Sequence, residues 1–126
     1  CKRISLAMKK TVVLGASPKP IRYSYTAVQQ LSSKGYEAVP IGVRDGDIGG
    51  IEIIKGTPEV EGVHTITLYL SPARQPQYYD YIFSLNPKRL IFNPGTENLE
   101  LIQMAKDRDI NVEVGCTLVM LSVGNY

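Results

Sequence analysis

Short apolar runs alternate with stretches of helical periodicity along this chain. The apolar runs have the length and β-branched content of strands, and they predict strands over residues 11–15, 36–41, 65–70, 89–92 and 111–114. Between them, apolar residues recur every three or four positions. This spacing predicts helices that begin near Ser24, after Pro72, at Thr96 and at Cys116. Residues 51–54, in the least regular part of the chain, suit a short extra strand.

Strands that alternate with helices predict a single α/β domain with a parallel sheet and right-handed crossovers. The first strand is short, continuously apolar and followed by a tight loop, so we expect it inside the sheet. The predicted architecture is a three-layer sandwich whose five-stranded parallel sheet has the order 3-2-1-4-5, with helices on both faces. The domain is expected to span residues 8–126, and residues 1–7 are interpreted as an N-terminal extension or cloning remnant.

Composition narrows the classes of function. The 126 residues include 14 Lys and Arg and 12 Asp and Glu, which gives a net charge of +2. A chain this close to neutral is not expected to bind nucleic acid. No apolar run approaches the ~20 residues that cross a bilayer, and no membrane partner is expected. The two cysteines, Cys1 and Cys116, and the lone histidine form no tetrahedral metal set. Cysteines without motif spacing fit a reduced, cytoplasmic setting.

The loop after the first strand is the most informative candidate site. In an open parallel sheet, ligands bind beyond the carboxyl ends of the strands, where the strand order reverses. Gly15 permits a sharp turn, and Ala16 and Ser17 are small enough for an anion to approach the backbone. Lys19 and Arg22 add positive charge, and the next helix directs its positive end to the same place. The pattern favours a phosphate site, although a tight turn without a ligand has the same small residues.

The residues after the second strand bear on the kind of nucleotide. NAD sites place Asp or Glu there to bind the ribose hydroxyls, whereas this chain has Pro-Ile-Gly at residues 40–42 and then Arg44. The glycine fingerprint of NAD sites is also incomplete, since Ser17 and Pro20 replace two glycines. A missing carboxylate and a nearby arginine suit a phosphorylated ribose, and Asp45 beside Arg44 weakens that argument.

From Met8 onward the chain resembles the CoA-binding domain family. The resemblance rests first on Val-Leu-Gly-Ala-Ser-Pro-Lys-Pro at residues 13–20, and then on Ser24-Tyr25, Lys34-Gly35-Tyr36 and Val39-Pro40-Ile41. Later agreement comes from Leu70-Ser71-Pro72, Asn93-Pro94-Gly95 and Cys116. The family consists of small stand-alone bacterial proteins similar to the N-terminal domain of the succinyl-CoA ligase α subunit. It implies a Rossmann-type α/β fold and coenzyme A as the cofactor.

The resemblance also implies roles for individual positions. Gly15, Ala16, Ser17 and Lys19 would hold phosphates, Pro40 and Ile41 would line the adenine side, and the path of the pyrophosphate and pantetheine would follow Ser71, Pro72 and Gly95. The predicted coenzyme A site adds three residues to these and consists of Gly15, Ala16, Ser17, Lys19, Arg22, Ser24, Pro40, Ile41, Ser71, Pro72, Asn93 and Gly95.

The remaining candidates do not form a catalytic set, so the chain is not expected to be an enzyme. His64 has no Ser, Cys or Asp partner at a recognisable spacing. Cys116 is expected in the core, although a place at a helix N-terminus would bring it near a CoA thiol. Tyr78 is also expected in the core, and Tyr79 and Tyr81 on the surface or in a self-association face, which leaves a homodimer open.

Three functions stay open on the sequence. The first is non-catalytic binding of coenzyme A or an acyl-CoA through the phosphate loop. The second is an NAD(P)-binding redox protein or a fragment of one, which needs a proton donor that the sequence does not offer. The third is a regulatory or interaction domain that has kept the fold and lost the ligand, against which the intact loop at residues 15–19 argues.

Overall fold

The computed structural model describes residues 9–126, so the predicted extension at residues 1–7 lies outside the described part. The elements in chain order are β1 (Thr11–Leu14), α1 (Tyr23–Ser33), β2 (Ala38–Ile41), β3 (Asp47–Ile48), β4 (Ile51–Glu52), β5 (Thr65–Leu68), α2 (Tyr79–Ser84), β6 (Arg89–Phe92), α3 (Leu99–Asp107), β7 (Asn111–Val114) and α4 (Thr117–Val123). Within residues 9–126, no helix is both long and apolar enough to cross a bilayer.

The main sheet has five parallel strands in the order β2-β1-β5-β6-β7. β1 pairs with β2 on one side and β5 on the other, so its predicted place inside the sheet is confirmed. The α/β fold, the parallel sheet and the general pattern of the predicted order are confirmed as well. In detail, β5, which is the third of the five predicted strands, pairs with β1 and does not lie outside β2. The place outside β2 is taken by the irregular segment, where Ile54 forms a parallel bridge with Ile41.

Successive residues of each strand point to opposite sides of the sheet, so buried strands present an apolar surface on both faces. Helices cover both of these faces. Val12 packs on the face covered by α2 and α3, where Leu101 is fully buried. Val13 packs on the other face with Leu31 of α1 and Met120 of α4. Full burial of such a side chain contributes about 1.5–3 kcal/mol. The two apolar layers fix the sheet, and the carboxyl ends of its strands are left to the loops.

Two helices begin later than the sequence predicts. Pro72–Arg74 and Pro76–Tyr78 form 3-10 turns, and α2 begins only after them instead of directly after Pro72. The prediction that α3 begins at Thr96, with Thr96 as its N-cap, is wrong. Asn98 caps α3 by accepting hydrogen bonds from the backbone amides of Glu100 and Leu101, while the Thr96 hydroxyl donates to the Asn93 carbonyl at 2.7 Å.

Candidate functional site: a cationic pocket at the carboxyl ends of the strands

A pocket of about 530 Å³ opens where β1, β2, β5 and β6 end. This volume lies in the ~300–1,000 Å³ range of small-molecule sites. β1 and β5 are neighbours from which the chain leaves in opposite directions, so the pocket lies at the reversal of strand order. The lining comes from the four loops and the start of α1, at residues 15–17, 22–24, 41–44, 69–71, 74, 78 and 94–96.

Two glycines allow the backbone segments at the pocket floor to approach each other. Gly15 has a φ of +98°, and a Cβ there would lie 3.0 Å from the main-chain carbon of Tyr69. A Cβ on Gly42 would lie 2.2 Å from the Ala16 carbonyl oxygen. Any side chain at Gly42 would therefore push the loop after β2 away from the loop after β1.

Part of the loop after β1 is engaged in hydrogen bonds within the protein. The amides of Gly15 and Ala16 both donate to the Ile41 carbonyl at 2.9 Å, so they do not point freely at a ligand. The Ser17 hydroxyl accepts a hydrogen bond from the Lys19 amide at 3.2 Å. Among the residues that the structure describes, no side chain caps α1, and its first turn holds no acidic residue. The positive end of α1 thus remains available beside Ser17.

Three arginines dominate the electrostatics of the pocket. Arg22, Arg44 and Arg74 line it, and no carboxylate of the described part of the chain does. The two ion pairs found among residues 9–126 involve other side chains, so none of the three is neutralised. Asp45, which the sequence sets against Arg44, instead pairs with Lys55 at 2.9 Å. The pocket therefore combines three unpaired positive charges with a helix N-terminus, an arrangement that attracts a ligand with several negative charges.

The side-chain amide of Asn93, beneath the pocket, is fully engaged in hydrogen bonds within the fold. The side-chain amide of Asn93 donates to the Thr67 hydroxyl at 2.6 Å and to the Leu68 carbonyl at 2.8 Å, and its oxygen accepts from the Thr117 amide at 2.9 Å. Asn93 therefore ties β6 to β5 and to the start of α4. Burial raises the pKa of Tyr69, which lines the pocket, well above the usual value for a phenol. That hydroxyl stays protonated at neutral pH.

The sequence itself matches a known family over the part that builds this pocket. Residues 9–122 match the sequence profile of the CoA binding domain family. The chain belongs to this family. The resemblance stated from the loop motifs is thereby confirmed, and coenzyme A binding in general is what the family supports. No curated protein matches the chain.

Solved structures share the fold. A crystal structure described as that of an uncharacterized protein is 51% identical, covers 95% of this chain and 99% of its own, and superposes with a TM-score of 0.93. A hypothetical protein from Pyrococcus horikoshii OT3 is 22% identical over 95% of this chain and 86% of its own, with a TM-score of 0.81. A protein from Thermus thermophilus, described as cell-free ID.343, is 18% identical over 94% and 91%, with a TM-score of 0.82. The last two are similar in fold alone.

The structure brings together eight of the twelve predicted site residues, namely Gly15, Ala16, Ser17, Arg22, Ser24, Ile41, Ser71 and Gly95. The other four do not line the pocket. Lys19 and Pro72 are exposed outside it, Pro40 is buried within β2, and the Asn93 amide is spent on internal bonds. The Gly95 amide is also engaged, since it donates to the Glu97 carboxylate at 2.9 Å.

Several lining residues were not in the predicted set. Arg74 and Tyr78 reach the pocket because two successive 3-10 turns fold the loop after β5 back over it. Tyr69 continues β5 by one residue and Val43 extends the loop after β2. One signal for Arg74 existed in the sequence, because it is the first charged residue after the third predicted strand.

Proposed function

We propose that this protein binds coenzyme A or an acyl-CoA without chemical turnover, and that the loop after β1 receives the phosphates. The observation that carries the proposal is the charge of the pocket, where, among residues 9–126, Arg22, Arg44 and Arg74 have no ion-pair partner and no carboxylate lines the wall. Coenzyme A carries a pyrophosphate and a 3′-phosphate, and guanidinium groups bind such oxygens with charge-assisted hydrogen bonds. Membership of the CoA binding domain family supports the same ligand.

The two ends of the pocket fit different parts of that ligand. Ser17, Arg22 and the uncapped start of α1 lie together after β1, which suits the pyrophosphate. Arg44 follows β2, at the place where NAD sites hold a carboxylate for free ribose hydroxyls. Since Asp45 is engaged by Lys55, Arg44 is free to bind a ribose phosphate. The arrangement supports coenzyme A over NAD.

The absence of turnover is proposed from where the reactive side chains lie. His64 is the one histidine of the chain and immediately precedes β5. It is therefore separated from the pocket by roughly 13 Å, the length of four extended residues. Thr67 and Thr117, beneath the floor, share a 2.7 Å hydrogen bond with each other, and Thr67 also accepts from Asn93. Neither hydroxyl is paired with a base that would activate it.

Ser17→Asp tests the proposal. The carboxylate would stand where a phosphate is expected, so CoA binding measured by calorimetry should weaken by about 2–4 kcal/mol while the unfolding midpoint changes little. Ser32→Asp adds the same charge to an exposed position near the far end of α1 and should leave affinity unchanged. Unchanged CoA affinity in Ser17→Asp contradicts the site. Release of free thiol from acetyl-CoA that scales with protein concentration and is lost in Ser17→Asp contradicts the absence of turnover.

A further inference from the structure

The pocket has two walls that are held in different ways. The first wall, residues 15–17 and 41–44, is joined by main-chain hydrogen bonds from Gly15 and Ala16 to Ile41. The second wall consists of residues 69–71, 74 and 78 after β5 and residues 94–96 after β6. Among the described residues, no main-chain hydrogen bond joins these two loops. A side chain has to hold the second wall together.

That side chain is Gln75, between the two 3-10 turns. It is fully buried, with no exposed surface, although the residues on both sides of it are exposed. Its amide nitrogen donates to the Leu70 carbonyl at 2.9 Å and to the Thr96 carbonyl at 2.8 Å. Because carbonyl oxygens only accept, these two contacts use both N–H groups of the amide and connect the two loops of the second wall.

The opposite side of the Gln75 amide is also fixed. Its oxygen accepts a hydrogen bond from the Asn98 amide at 2.9 Å. Asn98 is itself anchored, since it also bonds to the Tyr79 hydroxyl at 2.8 Å and caps α3. A buried amide with every polar contact satisfied has one orientation. Gln75 therefore transmits the position of α3 to both loops of the second wall.

We propose that Gln75 is a positioning residue that holds the second wall in the shape that receives the pantetheine arm of coenzyme A. The inference rests on the proposed function, which places the pyrophosphate at Ser17 and the start of α1 and the ribose phosphate at Arg44. Gln75 does not line the pocket and acts through Leu70 and Thr96, which do. Its loss should therefore affect the part of a ligand that meets the second wall and spare the rest.

A pair of ligands separates the two walls. Adenosine 3′,5′-bisphosphate shares the adenine, ribose and 3′-phosphate of coenzyme A but lacks the pantetheine arm. In Gln75→Leu, the Kd of CoA measured by calorimetry should rise about tenfold or more, the size of the lost hydrogen bonds, and the Kd of the bisphosphate should stay within about twofold. Gln77→Leu makes the same substitution at an exposed position two residues away, where the amide has one long contact of 3.3 Å, and should change neither value.

Gln75→Glu gives a second test that does not depend on the stability of the leucine variant. Burial favours the neutral carboxylic acid, which donates one hydrogen bond to a carbonyl, whereas the ionised form only repels both carbonyls. Relative to wild type, CoA affinity of Gln75→Glu should fall as pH rises from about 5 to about 8, and bisphosphate affinity should not.

The outcomes are distinct. Equal losses for both ligands, or CoA affinity unchanged in both variants, overturn the role of Gln75. Failure of the wild type to bind either ligand overturns the proposed function instead. A selective loss for CoA that reverses at low pH in Gln75→Glu supports positioning, because a general loss of stability would weaken both ligands together.

Discussion

The two ends of the main sheet both hold arginine side chains, and they differ in the contacts that those side chains make. At the amino end, Arg89 is 6% exposed. Its Nη1 donates to the Tyr126 main-chain oxygen at 2.7 Å and its Nε to the Thr65 hydroxyl at 3.0 Å. Its guanidinium carbon lies 4.4 Å from the centre of the Tyr126 ring. At the carboxyl end, Arg22 and its two companions in the pocket are exposed and form no such contacts.

The comparison shows that positive charge alone does not mark a binding site. The amino end is closed over its cations. Tyr126 is buried, burial raises the pKa of its hydroxyl, and its main-chain oxygen also accepts from Lys9 at 2.7 Å. Burial and the charge of Arg89 lower the pKa of Lys9. A cationic side chain whose N–H donors already bond within the protein has a structural role. A cationic side chain whose N–H donors face a cavity without a partner is available to bind a ligand.

The largest expected effect is a loss of stability when Arg89, at the amino end of the sheet, is replaced. Arg89→Ala removes two hydrogen bonds from a charged donor and leaves a cavity beneath Tyr126, so the free energy of unfolding measured in urea should fall by about 3 kcal/mol. Arg74→Ala, the same substitution in the pocket, should change stability by less than about 0.5 kcal/mol and weaken CoA binding by about 1–2 kcal/mol. A stability loss of equal size in both variants would contradict the division into structural and ligand-binding arginines.

An intermediate effect is expected at Arg44. If its guanidinium binds the 3′-phosphate, CoA should bind about 1–2 kcal/mol more tightly than dephospho-CoA, and Arg44→Gln should abolish that difference. Calorimetry with both ligands measures it, and added salt should narrow the difference in the wild type. NAD, which lacks the 3′-phosphate, should bind no better than dephospho-CoA.

Lys19→Gln is the matched control, because Lys19 lies on the adjacent loop but outside the pocket lining. It should leave the difference between CoA and dephospho-CoA largely intact. If Lys19→Gln abolished the difference and Arg44→Gln did not, the ribose phosphate would lie over the loop after β1, and the order of the ligand along the first wall would be reversed.

The sequence predicts the fold and most of the first wall because both follow from local signals. Short apolar, β-branched runs predict the strands, and apolar residues at every third or fourth position predict the helices. The small residues Gly15 and Ser17 mark the loop after the first strand. The contribution of Gln75 to the second wall was not predicted, for a physical reason. Gln75 is a polar residue in a polar segment, and only the tertiary fold shows that it is fully buried and joins two loops far apart in sequence.

The four predicted residues that miss the pocket have a related explanation. A sequence shows that a side chain is polar but not whether its hydrogen bonds are already used. Asn93 follows a strand at the correct end of the sheet, yet Thr67, Leu68 and Thr117 take up its amide. Asp45 is the converse case. It lies beside Arg44 in the chain, but its partner is Lys55.

The smallest expected effect concerns the pH dependence of the amino end. Burial, and then the charges of Arg89, Lys9 and Lys88, lower the pKa of His64. The unfolded chain, with an ordinary histidine pKa of about 6.5, therefore binds this proton more readily than the folded chain does. As the pH falls below about 6.5, the free energy of unfolding should decrease, and the decrease from this group should be complete below the folded pKa.

Carboxylates also lose stabilising contacts in acid, so the measurement is the difference in urea stability between wild type and His64→Gln across this pH range. The wild type should lose more stability than the variant as pH falls, by a small amount because His64 is only half-buried. A wild type that gains stability relative to His64→Gln on acidification would mean that His64 has a hidden anionic partner.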